Sequence, residues 1–345
     1  GIGHYFVPRY TRVVDTAESK DNINKAYNLI STSKVRNEMI IDDVITCVAR
    51  KQTPVILTRF KEHAKFLHDA LKKKADHVFL LYGDNSDKEN AEIRVKLKQI
   101  PENESLILVA TGQKIGEGFD FPRLDVLMLA APVSFEGRLE QYVGRLNRDY
   151  VGKEAVYVYD YIDSHVRYFD KMYAKRLRTY RKMGFSIWMQ ELQPKQIINA
   201  IFDSVNYTEK FEQDIVESEK MVVISSPDIR QDKIDRFLLL VKKRQEVGVK
   251  VTVITTDPED ITYGKSDVCY ELIRAMQLVG INVITRTEVE ECFAVIDDEI
   301  VWHGGMNLLG KADVWDNLMR IRNSQVATEL LEIALGCSEE RRKSE

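Results

Sequence analysis

The chain has no C-x-x-C pair. Its four cysteines, Cys47, Cys269, Cys292 and Cys337, are scattered through 345 residues, which argues against a zinc site or a disulfide framework and suits a reducing cytosol. His63, His68 and His77 have spacings that fit no helical ligand pair, so they read as surface histidines and no metal site is expected. No apolar run reaches the ~18 residues of a membrane span, and the start does not resemble a secretory signal. A soluble, cytoplasmic chain with no membrane partner is expected. One-sided charge is missing as well: the formal net charge is -4, so a nucleic-acid partner would need local basic patches. A phosphate loop of the form G-x-x-x-x-G-K-[S/T] does not occur. The nearest string, Tyr263-Gly264-Lys265-Ser266, lacks the upstream glycine whose backbone would approach a phosphate.

What is present is a recurring alternation. Short β-rich runs at Val55–Thr58, Val78–Tyr82, Leu106–Thr111, Leu124–Ala130 and Ala155–Tyr161 are separated by helical stretches at Glu62–Lys74 and Lys88–Lys98. Such alternation predicts a parallel sheet flanked by helices, with the site on loops at the carboxyl ends of the strands. Val166–Met183 has helical spacing, with Val166, Phe169, Tyr173, Leu177 and Tyr180 on one face and Arg167, Lys171, Lys175, Arg178 and Lys182 on the other. That basic face suits either a phosphate backbone or plain solvent. A polar connector follows, and a second βαβ series begins at Met221. It continues through a strand at Val249–Ile254, a helix at Asp267–Val279 and an apparent hairpin at Phe293–Trp302. The expected division is residues 1–185, a linker at 186–209, a second domain at 210–337 and a charged, disordered tail at 338–345. The fold class is α/β in both domains.

Two strings in the first domain carry chemistry. Glu117-Gly118-Phe119-Asp120 follows the run ending at Thr111, and Gln141-Tyr142-Val143-Gly144-Arg145-Leu146-Asn147-Arg148 has the form Q-x-x-G-R-x-x-R. A lone G-R-x-x-R is weak, because helix arginines usually make solvated pairs worth little. Order and spacing strengthen it. Together the strings resemble motifs V and VI of superfamily 2 helicases, the DEAD/DEAH-like and type III restriction/repair-like motors. The resemblance implies a C-terminal RecA-like lobe carrying motifs IV to VI. Arg145 and Arg148 would be the arginine finger facing the γ-phosphate of ATP held by another lobe. Gly118, Asp120, Gln141 and Gly144 would lie at the nucleotide. Thr58 and Arg59, where motif IV falls, together with Thr111, Lys175 and Arg178, would contact DNA or RNA. Tyr142 stands where many relatives have another arginine.

The same resemblance implies ATP and Mg²⁺ in the full-length motor, and neither in this chain alone. No acidic D-E-A-D-like string occurs; Ile296-Asp297-Asp298-Glu299 does not match. The missing N-terminal RecA-like lobe is expected upstream in the same polypeptide, since Gly1 falls where the inter-lobe linker should be. Bacterial restriction, defence or repair is the setting such an architecture suits.

The second domain resembles the phospholipase D-like fold, whose signature is H-x-K-(x)4-D followed by G-S-x-N. Here Glu290 takes the histidine position, Cys292 the lysine position and Asp297 the aspartate position, while Gly304-Gly305-Met306-Asn307 has Gly305 in place of serine. A carboxylate repels a phosphodiester, and charge-assisted contacts worth about 1.5–3 kcal/mol each are lost. The resemblance therefore implies a degenerate domain for nucleic-acid binding or assembly, with a homodimer as one use and Trp302 and Trp315 as candidate interface aromatics, although the alternation of Trp302 with Ile300 favours core packing for Trp302. The alternatives are a phosphodiesterase or nuclease acting through this domain, and a non-enzymatic docking module.

Overall fold

The computed structural model describes residues 2–112, 120–133, 136–189, 199–261 and 265–343. The chain divides into two compact units, Gly1–Gln190 and Glu191–Glu345.

The first unit is built on seven parallel strands: β1 (Gly3–Tyr10), β2 (Pro54–Thr58), β3 (His77–Leu81), β4 (Leu106–Thr111), β5 (Val126–Leu129), β6 (Ala155–Ile162) and β7 (Ser186–Ile187). Their order across the sheet is β3-β4-β2-β5-β6-β1-β7. Every residue of β2, β4 and β5 is buried, which is why these strands read as continuous apolar runs: helices cover both faces of a parallel sheet. Helices α1 (Ala17–Asp21), α2 (Ile23–Ser31) and α3 (Lys34–Ala49) join β1 to β2. Their starts are fixed by side-chain caps from Thr16, Asn22 and Ser33, each of which satisfies backbone N–H groups the helix leaves open. Next come α4 (Lys61–Leu71), α5 (Asp87–Gln99), α6 (Glu136–Leu146) and α7 (Arg167–Lys182). The chain leaves β2 toward β3 on one side and leaves β5 toward β6 on the other. The topological switch point thus lies between the neighbours β2 and β5.

The second unit holds a mixed seven-stranded sheet of β8 (Ala200–Asp203), β9 (Met221–Ser225), β10 (Lys250–Thr256), β11 (Asn282–Arg286), β12 (Cys292–Ile296), β13 (Ile300–Gly304) and β14 (Asn317–Arg322). Its order is β11-β10-β9-β12-β13-β14-β8, parallel from β11 to β9 and antiparallel beyond. Helices α8 (Thr208–Val216), α9 (Gln231–Glu246), α10 (Ser266–Leu278) and α11 (Ser324–Lys343) accompany it. The β12–β13 hairpin turns through Asp297 and Asp298, with φ of 57° and 54°, the positive-φ pair that such turns require.

Several expectations need correcting. The span 186–209 is not simply a linker, because β7 completes one sheet and β8 the other. The tail is helical to Lys343 rather than disordered. β1 was not anticipated, nor were α1 to α3. His63 is no surface histidine: it is 3% exposed and belongs to the interior.

Candidate functional site

Thr58 and Thr111 end the neighbouring strands β2 and β4 and are register partners, so two of the expected strand-contact residues meet at the carboxyl edge of the sheet. Both are buried. The Thr58 hydroxyl is engaged inward, 2.5 Å from His63 Nδ1, and His63 Nε2 lies 2.7 Å from Asn37 Oδ1. Asn37 Nδ2 donates to the Ser31 carbonyl at 2.8 Å, leaving its Oδ1 as acceptor. The network therefore puts the imidazole proton on Nε2 and makes Thr58 the donor to Nδ1. Burial, aided by the nearby Arg36 charge, pushes the His63 pKa down to about 3. The ring is neutral at physiological pH. The expected phosphate contact through the Thr58 hydroxyl is thus replaced, in this arrangement, by a bond that ties β2 to α3 and α4.

Arg59, the next residue, is exposed. Its guanidinium lies 4.4 Å from the centroid of the Tyr27 ring, a cation–π arrangement. Tyr27 in turn donates its hydroxyl to the Pro132 carbonyl at 2.9 Å, bridging the exits of β2 and β5. Two further carbonyls of that exit are held by buried guanidinium groups. Arg36 Nη1 donates to Ala130 O at 2.6 Å and Arg176 Nη1 to Val133 O at 3.2 Å. Each guanidinium is neutralised by a carboxylate at the end of β6, Arg36 by Asp163 at 2.9 and 3.0 Å and Arg176 by Asp160 at 2.8 Å twice. Buried charges persist when paired and bonded in this way. They fix the segment from which α6 departs.

α6 carries the Q-x-x-G-R-x-x-R string. Leu139, Tyr142, Val143 and Leu146 are buried, whereas Gln141 and Gly144 are exposed, Arg145 is half-buried and Arg148, just past the helix end, is 55% exposed. Helical periodicity thus sorts the string into a packed face and an open one. A Cβ at Gly144 would meet nothing within 4 Å, so nothing packed around it requires glycine at that position. Arg148 Nε stands 3.6 Å from Asp120 Oδ1, bringing together one residue from each string. Gly118 lies outside the described residues.

Arg148 lies beyond the end of α6, whereas Arg145 is one turn from Tyr142, whose hydroxyl reaches Gly112 at the exit of β4. α6 starts from the exit of β5 and runs back over the sheet to the entry of β6. Its 11 residues span about 16 Å, and Arg148 and Asp120 lie at its far end. Tyr142, just past the middle of α6, is buried and packs its hydroxyl against Gly112. Burial raises its phenol pKa, and the Arg138 charge opposes the shift. On α7, Lys175 is exposed and Arg178 half-buried, while the neighbouring Arg176 faces the interior.

In the second unit the residues of the expected phospholipase D-like string are engaged in packing and backbone bonds. Asp297 accepts hydrogen bonds from the backbone N–H groups of Glu219, Lys220 and Met221 at 2.7–3.1 Å. Asn307 Oδ1 accepts the Asp228 N–H at 2.9 Å, lacing two loops together. Glu290 is half-buried just before β12, and Cys292 is buried at its first position. A Cβ on Gly304 would run into the Asn317 carbonyl of β14, and the Gly305 N–H donates to that same carbonyl at 3.3 Å. Trp302 is fully buried and donates Nε1–H to Asp214 at 2.8 Å. Trp315 is 55% exposed. Among the described residues, no group of three or more His, Cys, Asp or Glu side chains is placed to hold a metal ion, and no helix is long and apolar enough to cross a membrane.

Comparison with known proteins finds partial likenesses. "Putative helicase 161L" of Invertebrate iridescent virus 6 is 34% identical over 118 residues, 34% of this chain and 22% of that protein. Part of the chain is similar to a viral helicase-named protein. "Transcript termination protein A18" of Yaba-like disease virus is 29% identical over 138 residues, 38% of this chain and 28% of that protein. The matches therefore span less than a third of either relative. The solved structure of T4 UvsW aligns with a TM-score of 0.44 at 19% identity, over 56% of this chain and 42% of that one. No family model matches the chain.

Sequence reasoning missed His63, Arg36, Arg176 and Lys153. For the two arginines a signal existed. Asp160 and Asp163 sit in or beside the otherwise apolar run Ala155–Ile162, and an acid in a buried strand calls for a cation.

Proposed function

We propose that this chain supplies the second, RecA-like lobe of an ATP-dependent superfamily 2 nucleic-acid motor, followed by a phospholipase D-like unit without phosphodiester chemistry. The observation that carries this reading is α6. Gln141, Gly144 and Arg145 share its unpacked side, with Arg148 just past its end, in the order a motor's motif VI requires, and Arg148 meets Asp120 of the preceding string. The partial likeness to a helicase-named viral protein supports it.

In this reading ATP, with Mg²⁺, is held by another lobe and supplies the phosphoryl group whose hydrolysis drives movement. Arg145 and Arg148 present permanent, forked charge to that group, with Asp120, Gln141 and Gly144 beside them. Arg59, Thr111, Lys175 and Arg178 belong to the strand-contact side, where DNA or RNA phosphates are met. The second unit assists by binding nucleic acid or by self-association, with exposed Trp315 on its surface.

The test is ATP turnover, with and without single- and double-stranded DNA or RNA, in a polypeptide that joins this chain to its phosphate-loop lobe. Nucleic-acid-stimulated turnover that falls about 10³-fold or more in Arg145→Ala and in Arg148→Ala is expected. Wild-type turnover in both variants would reduce α6 to a structural helix.

A further inference from the structure

The Lys153 ammonium lies between the segment that follows Asp120 and the end of α6. Lys153 stands two residues before β6 and reaches back over the amino end of the sheet. Its Nζ donates to three backbone carbonyls: Pro122 at 2.9 Å, Leu124 at 2.8 Å and Leu146. An ammonium has three N–H donors, so all three are committed. Pro122 and Leu124 belong to the loop that begins at Asp120, and Leu146 is the last residue of α6. The Leu146 carbonyl also accepts the backbone N–H of Arg148 at 2.8 Å. One carbonyl therefore joins Lys153 to the main chain of Arg148, and the other two join it to the loop carrying Asp120.

The electrostatics suit the arrangement. The last carbonyls of a helix have no partner within the helix and form the negative end of its dipole, where a cation is favoured. Asp125, one residue beyond Leu124, adds a carboxylate to the same surroundings and receives the Thr53 N–H at 2.7 Å. Lysine is suited to this task because its compact ammonium can point three bonds at three carbonyls in two segments.

We infer that Lys153 is a positioning residue that fastens the Asp120 loop to the end of α6 and thereby sets the spacing of Asp120 and Arg148. Its consequence for catalysis rests on the motor reading above; its consequence for the Asp120–Arg148 pair does not. The inference is tested in this chain by following the Arg148 Nε–H resonance by NMR. In the unaltered chain, Asp120→Asn is expected to shift that resonance. In the Lys153→Met background the response to Asp120→Asn is expected to vanish, and in Lys153→Arg, which keeps the charge and several donors, it is expected to persist in part. A full response in Lys153→Met overturns the inference. If Lys153→Met does not fold, Lys153→Gln, which keeps an N–H donor, takes its place with the same two outcomes.

In the polypeptide carrying the phosphate-loop lobe, Lys153→Met should lower kcat about tenfold while leaving KM for ATP within about twofold, since orientation matters most in the transition state. Loss of turnover in Arg148→Ala with unchanged kcat in Lys153→Met overturns the positioning role. Unchanged turnover in Arg148→Ala overturns the motor reading instead, and the NMR response then decides the role of Lys153 alone.

Discussion

Both units bury bidentate arginine–aspartate pairs, and they put them to different uses. In the first unit Arg36–Asp163 and Arg176–Asp160 lie at the strand exits, and each guanidinium keeps one N–H for a carbonyl of the segment leading into α6. In the second unit Arg320 pairs with Asp214 at 2.8 and 3.0 Å, and that carboxylate also accepts the Trp302 indole N–H. That cluster ties α8 to β13 and β14 and leaves the Glu290–Asn307 frame to other bonds. One polar core supports a surface string; the other fastens a helix to the sheet. In that second unit Asp297 and Asn307 accept bonds that hold loops together, while Glu290 is half-buried and Cys292 buried.

The comparison breaks most readily at the pairs themselves. Asp160→Ala and Asp214→Ala should each cost about 3–5 kcal/mol, because each strands a buried guanidinium, and urea unfolding measures both. If the contrast holds, Asp160→Ala also impairs turnover of the assembled motor in the fraction that stays folded, and Asp214→Ala does not. Equal effects on turnover would erase the distinction.

His63 gives the next largest effect, through pH. Its pKa falls from an ordinary 6.5 to about 3 on folding, so its contribution to stability is full above 6.5 and is lost as pH falls toward 3. Asp125 acts in the opposite sense. Its pKa rises from 3.8 to about 6, mainly through burial, so its contribution is present below 3.8 and is lost as pH rises through 6. Denaturation midpoints between pH 7 and 4 should therefore decline less steeply in His63→Gln than in the unaltered chain, and more steeply in Asp125→Asn. A profile unchanged in His63→Gln would mean the ring is not held neutral by burial.

Asp297→Ala removes the acceptor for three backbone N–H groups and should cost about 1.5–3 kcal/mol, with nucleic-acid binding and turnover unaffected. Loss of binding without loss of stability would return Asp297 to a functional site and bring the two units closer together. The smallest effect is expected on α7, where Lys175→Ala and Arg178→Ala should each lower the salt dependence of nucleic-acid binding by about one phosphate contact. No change in the slope would leave that helix face to solvent.

How much of this was legible in the sequence follows the same division. Val55–Thr58 and Leu106–Thr111 announced themselves because strands covered on both faces must be apolar throughout. β1 did not, since Gly3, Pro8 and Arg9 break the pattern. Proline is tolerated there because β7 pairs with β1 only at Tyr5 and Phe6 and ends before Pro8. The order of Gln141, Gly144, Arg145 and Arg148 fixed which residues share a helix side, because that is a matter of periodicity. It could not show that α6 ends at Leu146 and leaves Arg148 just beyond it, which depends on helix length. Burial of His63 was hidden for a similar reason. Spacing excludes a metal pair but says nothing about Asn37 and Thr58, which arrive from other elements.

The contact between Gly112 and Tyr142 amounts to a matched lock. A methyl group at Gly112 would come within 2.6 Å of the Tyr142 hydroxyl, whereas the next ring carbon stands off at 3.5 Å. Gly112→Ala should then be poorly tolerated alone and tolerated with Tyr142→Phe, which clears the oxygen and keeps the ring. Such a bump and its hole would let an experimenter displace the arginine helix by a defined small step and then return it, turning a close approach between the exit of β4 and α6 into an adjustable screw on the site.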